Sequence, residues 1–253
     1  MSAEPAVTVE KRDRTTVLTL NRPAKRNAIN DEITAGLDHA LNEFEDDPEQ
    51  WFAVLTGGPE FFCAGADLAA GAGEPTERGG IAGIMTRVRG KPLVAAVEGF
   101  ALGGGFELVM CCDLVVASRT ARFGLPEPKR GLIPDFGGAF RVARLLPANV
   151  ARELLLTGDD LDAERAERLG LVNRLVEPGA ALAGALELVR RIGANAPLAV
   201  RGALRIANSA IAGDETGLWT MTEEVHAGLL ASADLQEGLA AFFGRRAPDW
   251  QGR

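Results

Sequence analysis

The chain contains few of the residues that metal, thiol and disulfide chemistry require. Its 253 residues include three cysteines and two histidines. Three cysteines cannot form a disulfide framework, and Cys111 and Cys112 are neighbours in an apolar run, so we expect free thiols in a reducing compartment. His39 and His226 lie far apart and have no metal-ligand spacing to another histidine or to a cysteine. We therefore expect no metal site.

Long apolar segments and an excess of basic residues are also missing. No stretch of about 18 uncharged apolar residues occurs, and residues 1–16 are polar and charged, unlike a secretory signal. The net charge of -8 argues against nucleic-acid binding, which depends on concentrated lysine and arginine. We therefore predict a cytoplasmic protein with neither a membrane nor a nucleic-acid partner.

Several common catalytic and cofactor motifs are absent as well. The chain has no Gly-x-Gly-x-x-Gly pattern, no P-loop and no Gly-x-Ser-x-Gly pattern. Cys63 lies beside a glycine-containing turn at Ala64–Leu68 and is a conceivable nucleophile. Because no histidine is near it in sequence, packing as a small hydrophobe is the favoured interpretation.

The periodicity of apolar residues predicts an α/β fold. Strand patterns occur at 7–10, 15–20, 52–56, 93–97, 114–117 and 171–176, and the first two form a hairpin. Helical spacing occurs at 31–44, where Asp31 can cap the helix, and recurs at 81–88, 105–112 and 163–169. From Gly179 onward only helical spacing remains, at 180–194, 197–212, 216–230 and 233–243.

Glu107 and Glu127 are the residues most indicative of chemistry. Glu107 follows the glycine run Gly103–Gly105, which joins an apolar strand to a helix, and Glu127 stands between two prolines on stiff backbone. The Gly104 N–H can point outward at the helix N-terminus and, with the turn at Ala64–Leu68, bind one developing negative oxygen. Two acids beside N–H groups that bind a developing negative oxygen predict proton transfer next to a carbonyl group.

Each of these features also has a simpler interpretation. A glycine run commonly marks a tight turn, and an acid in the first turn of a helix, as at Glu107, complements the helix dipole. Asp135, in the segment Ile133–Gly138, is either a third acid at the same pocket or a turn former.

Together these motifs resemble the crotonase, or enoyl-CoA hydratase/isomerase, superfamily over essentially the whole chain. Asn21–Ala28 is similar to the family's CoA-binding loop, Ala64–Leu68 to its first oxyanion element and Ala101–Leu108 to its second. The resemblance implies a crotonase-like α/β spiral of repeated strand-strand-helix units over 1–195, which carries the CoA site. A helical C-terminal section over 196–253 would make homotrimers, often paired into hexamers.

The resemblance also implies a substrate and roles for particular residues. The substrate would be an acyl-CoA thioester, with no separate cofactor because coenzyme A is part of the substrate. The N–H groups of Ala66 and Gly104 would bind the thioester oxygen, and Glu107 and Glu127 match the acid pair of the hydratases. The other residues implied to contact the substrate or its CoA moiety are Lys25, Arg26, Ala28, Ala64, Asp67, Leu68, Asp135, Phe136 and Arg245, with Arg246 as an alternative to Arg245.

The implied reaction is reversible hydration of a trans-2-enoyl-CoA to a 3-hydroxyacyl-CoA. The segment Pro134–Gly138 departs from the common hydratase pattern and is similar to the Pro-Asp-x-Gly-Gly of carnitinyl-CoA dehydratases. Phe136 would narrow the acyl pocket, which predicts a short or polar acyl group. Two alternatives stay open: an enoyl-CoA isomerase that uses Glu127 alone, and a non-enzymatic RNA-binding or scaffolding member of the superfamily.

Overall fold

A computed structural model describes residues 4–195, 197–212 and 230–246, together with Glu223, Ala227, Gly228 and Pro248. In this part of the chain the strands are β1 (Val7–Arg12), β2 (Thr15–Leu20), β3 (Phe52–Thr56), β4 (Leu93–Val97), β5 (Phe100–Leu102), β6 (Leu114–Ser118), β7 (Arg122–Gly124), β8 (Asp160–Asp162) and β9 (Arg174–Val176). They form a six-stranded sheet, ordered β1-β2-β3-β4-β6-β9, and a three-stranded sheet, ordered β5-β7-β8. The larger sheet is parallel apart from the hairpin of β1 and β2.

Helices surround these two sheets. They are α1 (Asp31–Asp46), α2 (Gly104–Met110), α3 (Gly138–Leu145), α4 (Ala148–Thr157), α5 (Ala163–Arg168), α6 (Ala181–Gly193), α7 (Pro197–Ala212) and α8 (Ala233–Phe243). Strand, strand and helix recur as β1–β2–α1, β4–β5–α2 and β6–β7–α3, which is the repeat that the sequence resemblance implies. None of the described helices has the length and apolarity needed to cross a membrane.

The central strands are buried on both faces, which explains their unbroken apolar sequences. One face, which includes Leu55 and Ala95, joins the main core with α1 and α2. The other face, which includes Val54 and Val94, packs against Val189 and its neighbours on α6. The larger sheet therefore forms a middle layer between α6 and the rest of the core.

The register of the small sheet positions the two acids. β5 and β7 are parallel, with Leu102 opposite Gly124, so both strands end at the same edge. Glu107 lies one turn into the helix that follows β5, and Glu127 lies three residues after β7. Since the chain leaves neighbouring parallel strands at the same edge, acids twenty positions apart in sequence converge.

Several sequence predictions are confirmed, and others need correction. β2, β3 and β4 and the hairpin lie where expected, and Asp162 caps α5 by accepting from the Arg165 N–H. The cap of α1, however, is Asn30 rather than Asp31, because the Asn30 side chain accepts from the Ile33 N–H. The short strands β5, β7 and β8 and the helices α3 and α4 were not predicted.

Two predicted ranges are shorter in the structure than in the sequence analysis. The helix expected at 81–88 is only a 3-10 turn at Ile81–Gly83, because Ala82 and the glycines on either side adopt positive φ angles. The strand expected at 171–176 begins at Arg174, since the Leu171 and Val172 N–H groups both turn back to the Ala166 carbonyl. The helix expected at 216–230 falls almost wholly outside the described residues.

Candidate active site

Two glycine turns from separate parts of the chain lie side by side. A Cβ built on Gly65 would lie 3.0 Å from the Leu102 carbonyl oxygen and 3.4 Å from the Gly104 nitrogen. Parallel bridges between Cys63 and Ala101 and between Ile29 and Ala66 hold this arrangement. Gly65 has a φ of +104°, which an L side chain rarely adopts, so the turn requires glycine for its backbone as well as for its close packing.

The amides of Ala66 and Gly104 are the donors that these turns leave available. The Ile29 N–H donates to the Gly65 carbonyl, and the Asp67 N–H donates to the Ile29 carbonyl. In this parallel pairing the N–H of the residue between them, Ala66, points away from Ile29. Gly104 is the first residue of α2, where an N–H has no acceptor within the helix. The two elements predicted to bind one oxygen are therefore adjacent.

Glu107 is a buried acid held by a single backbone donor. Its side chain projects from α2 and is 1% exposed. The Gly138 N–H, at the start of α3, donates to Glu107 Oε1 over 2.7 Å. A Cβ on Gly138 would lie 2.7 Å from that same oxygen and 2.9 Å from Cβ of Pro134. Only glycine lets this backbone approach the carboxylate so closely.

Glu127 lies against the glycine run Gly103–Gly105, at the beginning of a 3-10 turn at Glu127–Arg130. A Cβ on Gly103 would lie 2.8 Å from Glu127 Oε1, so this oxygen is against the turn that presents Gly104. The other oxygen, Oε2, is buried and has no hydrogen-bond partner in the described part of the chain. A buried acceptor without a protein partner is costly unless it is protonated or meets a ligand.

Electrostatics couple the two acids. Burial is the largest effect on both and raises the pKa of Glu127 to about 7. Burial and the nearby Glu127 charge raise the pKa of Glu107 well above its usual value, against the Gly138 hydrogen bond, which lowers it. Asp135 adds to the rise at both glutamates. Near neutral pH the pair can therefore hold a proton and also offer a carboxylate, as general acid–base chemistry requires.

The raised pKa of Glu127 leads to a stability prediction. Glu127→Gln is expected to raise the free energy of unfolding by about 1–3 kcal/mol at roughly pH 8, and by less at roughly pH 5. Because the folded-state pKa of Glu127, about 7, exceeds its ordinary 4.5, its contribution to stability is fully present below the ordinary value and lost as pH rises through about 7. Urea unfolding of both proteins at the two pH values measures the difference. A variant that is no more stable than wild type at the higher pH would contradict it.

The segment Pro134–Gly138 packs beside Gly104 and Glu107. A Cβ on Gly104 would lie 3.0 Å from Ile29 Cδ1 and 3.1 Å from Phe136 Cε2, so an aliphatic and an aromatic side chain flank the donor. Phe136 is buried and Asp135 is half-buried. The charge of Asp135 raises the pKa of both glutamates, so Asp135 lies near the acid pair.

The CoA-loop segment is attached to the first glycine turn. Arg22 donates to the Ala28 carbonyl and pairs with Asp67 at 3.0 Å, and the Ala64 N–H donates to the Arg26 carbonyl. The amide of Asn27, which is fully buried, donates to the Gly57 and Phe62 carbonyls and accepts from the Arg22 N–H. Sequence reasoning did not single out Arg22 or Asn27.

The predicted binding residues differ in their solvent exposure and in their hydrogen bonds. Lys25, Arg26, Ala64 and Leu68 are exposed, and Ala28 is half-buried. The carboxylate of Asp67 accepts from Arg22 and from the Ala69 and Ala70 N–H groups. Although burial raises the pKa of Asp67, these bonds lower it overall, so its side chain braces the turn.

Arg245 is exposed just beyond the end of α8. The Arg130 guanidinium, which follows Glu127 by three residues, lies 4.8 Å from the centroid of the Phe242 ring on α8. The end of α8 is therefore anchored to the segment that carries Glu127. Arg246 forms an ion pair with Glu237 on α8.

Cys63 has the environment of a packing residue. It is fully buried, its thiol donates to the Asn27 carbonyl over 3.0 Å, and burial raises its pKa to about 12. A thiol that stays protonated is a poor nucleophile, so the packing interpretation is supported. Among the described residues there is no group of three or more histidine, cysteine, aspartate or glutamate side chains that could hold a metal ion.

Comparison with known proteins gives the same assignment as the motifs and the site. Residues 10–253 match the family model described as enoyl-CoA hydratase/isomerase. The crystal structure of a carnitinyl-CoA hydratase from Mycobacterium avium superposes with a TM-score of 0.95 and 42% identity, covering 99% of this chain and all of that one. The chain belongs to the enoyl-CoA hydratase/isomerase family, the crotonase superfamily.

The names of two relatives indicate different acyl groups. A mevalonyl-coenzyme A hydratase of Aspergillus fumigatus is 39% identical over 93% of this chain and 90% of its own length. A short-chain-enoyl-CoA hydratase of Clostridium acetobutylicum is 36% identical over 95% of both chains. The named acyl groups differ among the three proteins, whereas the named reaction is hydration in each.

Proposed function

We propose that this protein is an enoyl-CoA hydratase, a hydro-lyase that reversibly adds water to a trans-2-enoyl-CoA. The observation that carries the proposal is that buried Glu107 and half-buried Glu127 both lie close to the glycine turn that presents the Gly104 N–H. Glu127 lies against the glycine turn that presents Gly104, and Glu107 lies one turn into the same helix. The names of the relatives support the same reaction class.

In the proposed mechanism the Ala66 and Gly104 N–H groups bind the thioester oxygen and stabilise the negative charge that develops there. Glu107 accepts a proton from water as the water oxygen bonds to the β-carbon, and Glu127 gives its proton to the α-carbon from the same side. The product is the 3-hydroxyacyl-CoA, and one proton must pass from Glu107 to Glu127 to restore the starting state. The pKa of Glu127, about 7, lets it hold near neutral pH the proton that it donates, and the Gly138 hydrogen bond, which lowers the pKa of Glu107, favours the ionised form that accepts one.

The CoA moiety is proposed to follow the exposed edge of the two glycine turns. Lys25, Arg26, Ala28, Ala64 and Leu68 lie along this edge, where the Ala64 N–H donates to the Arg26 carbonyl. Asp67 contributes indirectly, by fixing the turn through Arg22. Arg245 is proposed to reach the CoA phosphates from the end of α8. Assembly as a homotrimer or hexamer and cytoplasmic localisation stay predictions from the sequence.

The size of the acyl group should be limited by Phe136, which packs beside Gly104. We expect crotonyl-CoA to be hydrated with a higher kcat/KM than decenoyl-CoA, because a long chain must displace a buried ring. Loss of the ultraviolet absorbance of the conjugated enoyl thioester measures both rates. A clear preference for the longer substrate would contradict a narrow acyl pocket, and no turnover of any enoyl-CoA would contradict the hydratase proposal itself.

The main alternatives can be tested with the same substrates. Crotonobetainyl-CoA belongs in the panel because the Pro134–Gly138 segment resembles that of carnitinyl-CoA dehydratases, and Asp135 adds negative charge that favours a cationic acyl group. An isomerase that uses Glu127 alone moves a double bond without taking up solvent oxygen. Incorporation of labelled oxygen from water into the product therefore separates hydration from isomerisation.

A further inference from the structure

Arg141 on α3 joins two backbone segments beside the acid pair. Its Nη1 donates to the Phe136 carbonyl over 3.0 Å, and its Nη2 donates to the Met85 carbonyl over 2.6 Å. The first carbonyl belongs to the Pro134–Gly138 segment, and the second lies just beyond the 3-10 turn at Ile81–Gly83. These segments are far apart in sequence, and one guanidinium bonds to both.

The guanidinium is itself held in place. It lies 5.2 Å from the centroid of the Phe140 ring on the same helix, and a Cβ on Gly137 would overlap its Nη1 atom. Gly137 has a φ of +97°, so the backbone turns directly beneath the arginine before α3 begins. The next residue, Gly138, donates its N–H to Glu107. Arg141 therefore bonds to the backbone two residues before the amide that donates to that carboxylate.

We propose that Arg141 is a positioning residue for hydration: by holding the Phe136 and Met85 carbonyls it keeps the Gly138 N–H on Glu107 and fixes the direction of that carboxylate. This inference rests on the proposed function of Glu107 as the group that deprotonates water. Arginine suits the task because its planar fork reaches two carbonyl oxygens at once, whereas a lysine ammonium is a single point charge on a flexible stem.

The positive charge of Arg141 has a second consequence. The charged groups that act on Glu107 are Glu127, Asp135 and Arg141, and the first two raise its pKa together with burial. Arg141 lowers the pKa of Glu107. It thus favours the ionised form, which is the form able to accept a proton from water.

Three variants separate the hydrogen bonds from the charge. Arg141→Met removes both, Arg141→Lys keeps the charge but cannot span both carbonyls, and Arg144→Met makes the same chemical change one turn along α3. Arg144 is a matched control because its guanidinium lies 5.4 Å from the same Phe140 ring. Each variant is first compared with wild type by circular dichroism and thermal unfolding, so that only folded proteins enter the kinetics.

For Arg141→Met we expect kcat with crotonyl-CoA to fall by about 10–100-fold with little change in KM, because a misdirected catalytic group costs this much. The acid limb of its kcat/KM profile should move to higher pH, since loss of the cation raises the pKa of Glu107. Arg141→Lys should show a reduced kcat with a smaller movement of that limb. Arg144→Met should remain within about twofold of wild type.

The two proposals fail in different ways. If wild type does not hydrate any enoyl-CoA, the proposed function is wrong. If wild type is active and folded Arg141→Lys and Arg141→Met keep its kcat and its pH profile, the positioning role is wrong. If Arg141→Met only unfolds, Arg141→Lys decides, because wild-type kcat in that variant overturns the role of the two hydrogen bonds. An equal loss of kcat in Arg144→Met would also overturn the role assigned to Arg141.

Discussion

Glutamine at either Glu107 or Glu127 is expected to lower kcat for crotonyl-CoA hydration by about 10²–10⁴-fold, the usual contribution of a positioned acid or base. Glutamine keeps the shape of the side chain but can neither accept the proton from water nor give one to the α-carbon. The Gly138 N–H can still donate to an amide oxygen at position 107, so the backbone of the pocket should be preserved. Binding of the CoA thioester, measured by calorimetric titration, should persist in both variants.

Glu98→Gln provides a matched control for these two changes. Glu98 is 4% exposed and accepts a hydrogen bond from the Ala181 N–H over 2.9 Å, so it is also a buried glutamate held by a helix N-terminus. It contacts α6, on the other side of the larger sheet from the acid pair. We expect this variant to lose stability while keeping kcat within about twofold of wild type.

The double variant tests whether the two acids act together. Residues that act as one catalytic unit are strongly non-additive, so Glu107→Gln combined with Glu127→Gln should be scarcely slower than the slower single variant. Unchanged hydratase activity in both single variants would refute the assignment. Loss of activity in Glu127→Gln alone, with double-bond migration retained in Glu107→Gln, would instead favour the isomerase alternative.

The second large effect is expected at Gly65. Gly65→Ala should lower kcat by about 10²–10³-fold, the typical cost of removing one donor to a developing oxyanion. A Cβ at this position would lie 3.0 Å from the Leu102 carbonyl and 3.4 Å from the Gly104 nitrogen, so the two turns must separate. Separation moves the Ala66 and Gly104 N–H groups apart, and they can no longer bind one oxygen at full strength.

The effect of backbone strain must be distinguished from the effect of separating the two N–H groups. Gly65 has a φ of +104°, so alanine there is strained in any surroundings, at a cost of about 1–3 kcal/mol in stability. Gly170→Ala is the matched control, because Gly170 has a φ of +83° and a Cβ there would have no neighbour within 4 Å. Both variants should lose stability on thermal unfolding, but only Gly65→Ala should lose turnover. Equal turnover in the two would contradict the oxyanion role of this turn.

Much of the fold could be predicted from local patterns. The buried strands β3 and β4 are unbroken apolar runs, and the N-terminal hairpin alternates, so both are visible without tertiary information. The short strands β5 and β8 have only three residues each and carry too little periodicity to detect. α3 begins at Gly138 directly after Gly137, where low helix propensity conceals it, although its role is to present an amide to Glu107.

The reactive groups of the candidate site were predicted from the sequence, but the residues that hold them in place were not. Each acid and each glycine turn stands within a short stretch of sequence that is recognisable by itself. The bracing roles of Arg22, Asn27 and Arg141 were not visible, because each of these side chains acts on carbonyls that are remote in sequence or across a turn. The weak signal that could have pointed to Arg141 is its place one turn after a Gly-Gly pair at a helix start.

The sequence by itself determined the positions of the longer strands and of most helices, the family, and the residue types that could carry acid–base chemistry. These properties follow from composition and spacing along the chain, where neighbours in sequence are neighbours in space. Only the tertiary structure decided that Gly65 lies against Gly104, that Glu107 receives its hydrogen bond from Gly138, and that burial raises the pKa of both acids. Those properties depend on removing side chains from water and bringing distant segments together, and that happens only when the sheets and helices pack.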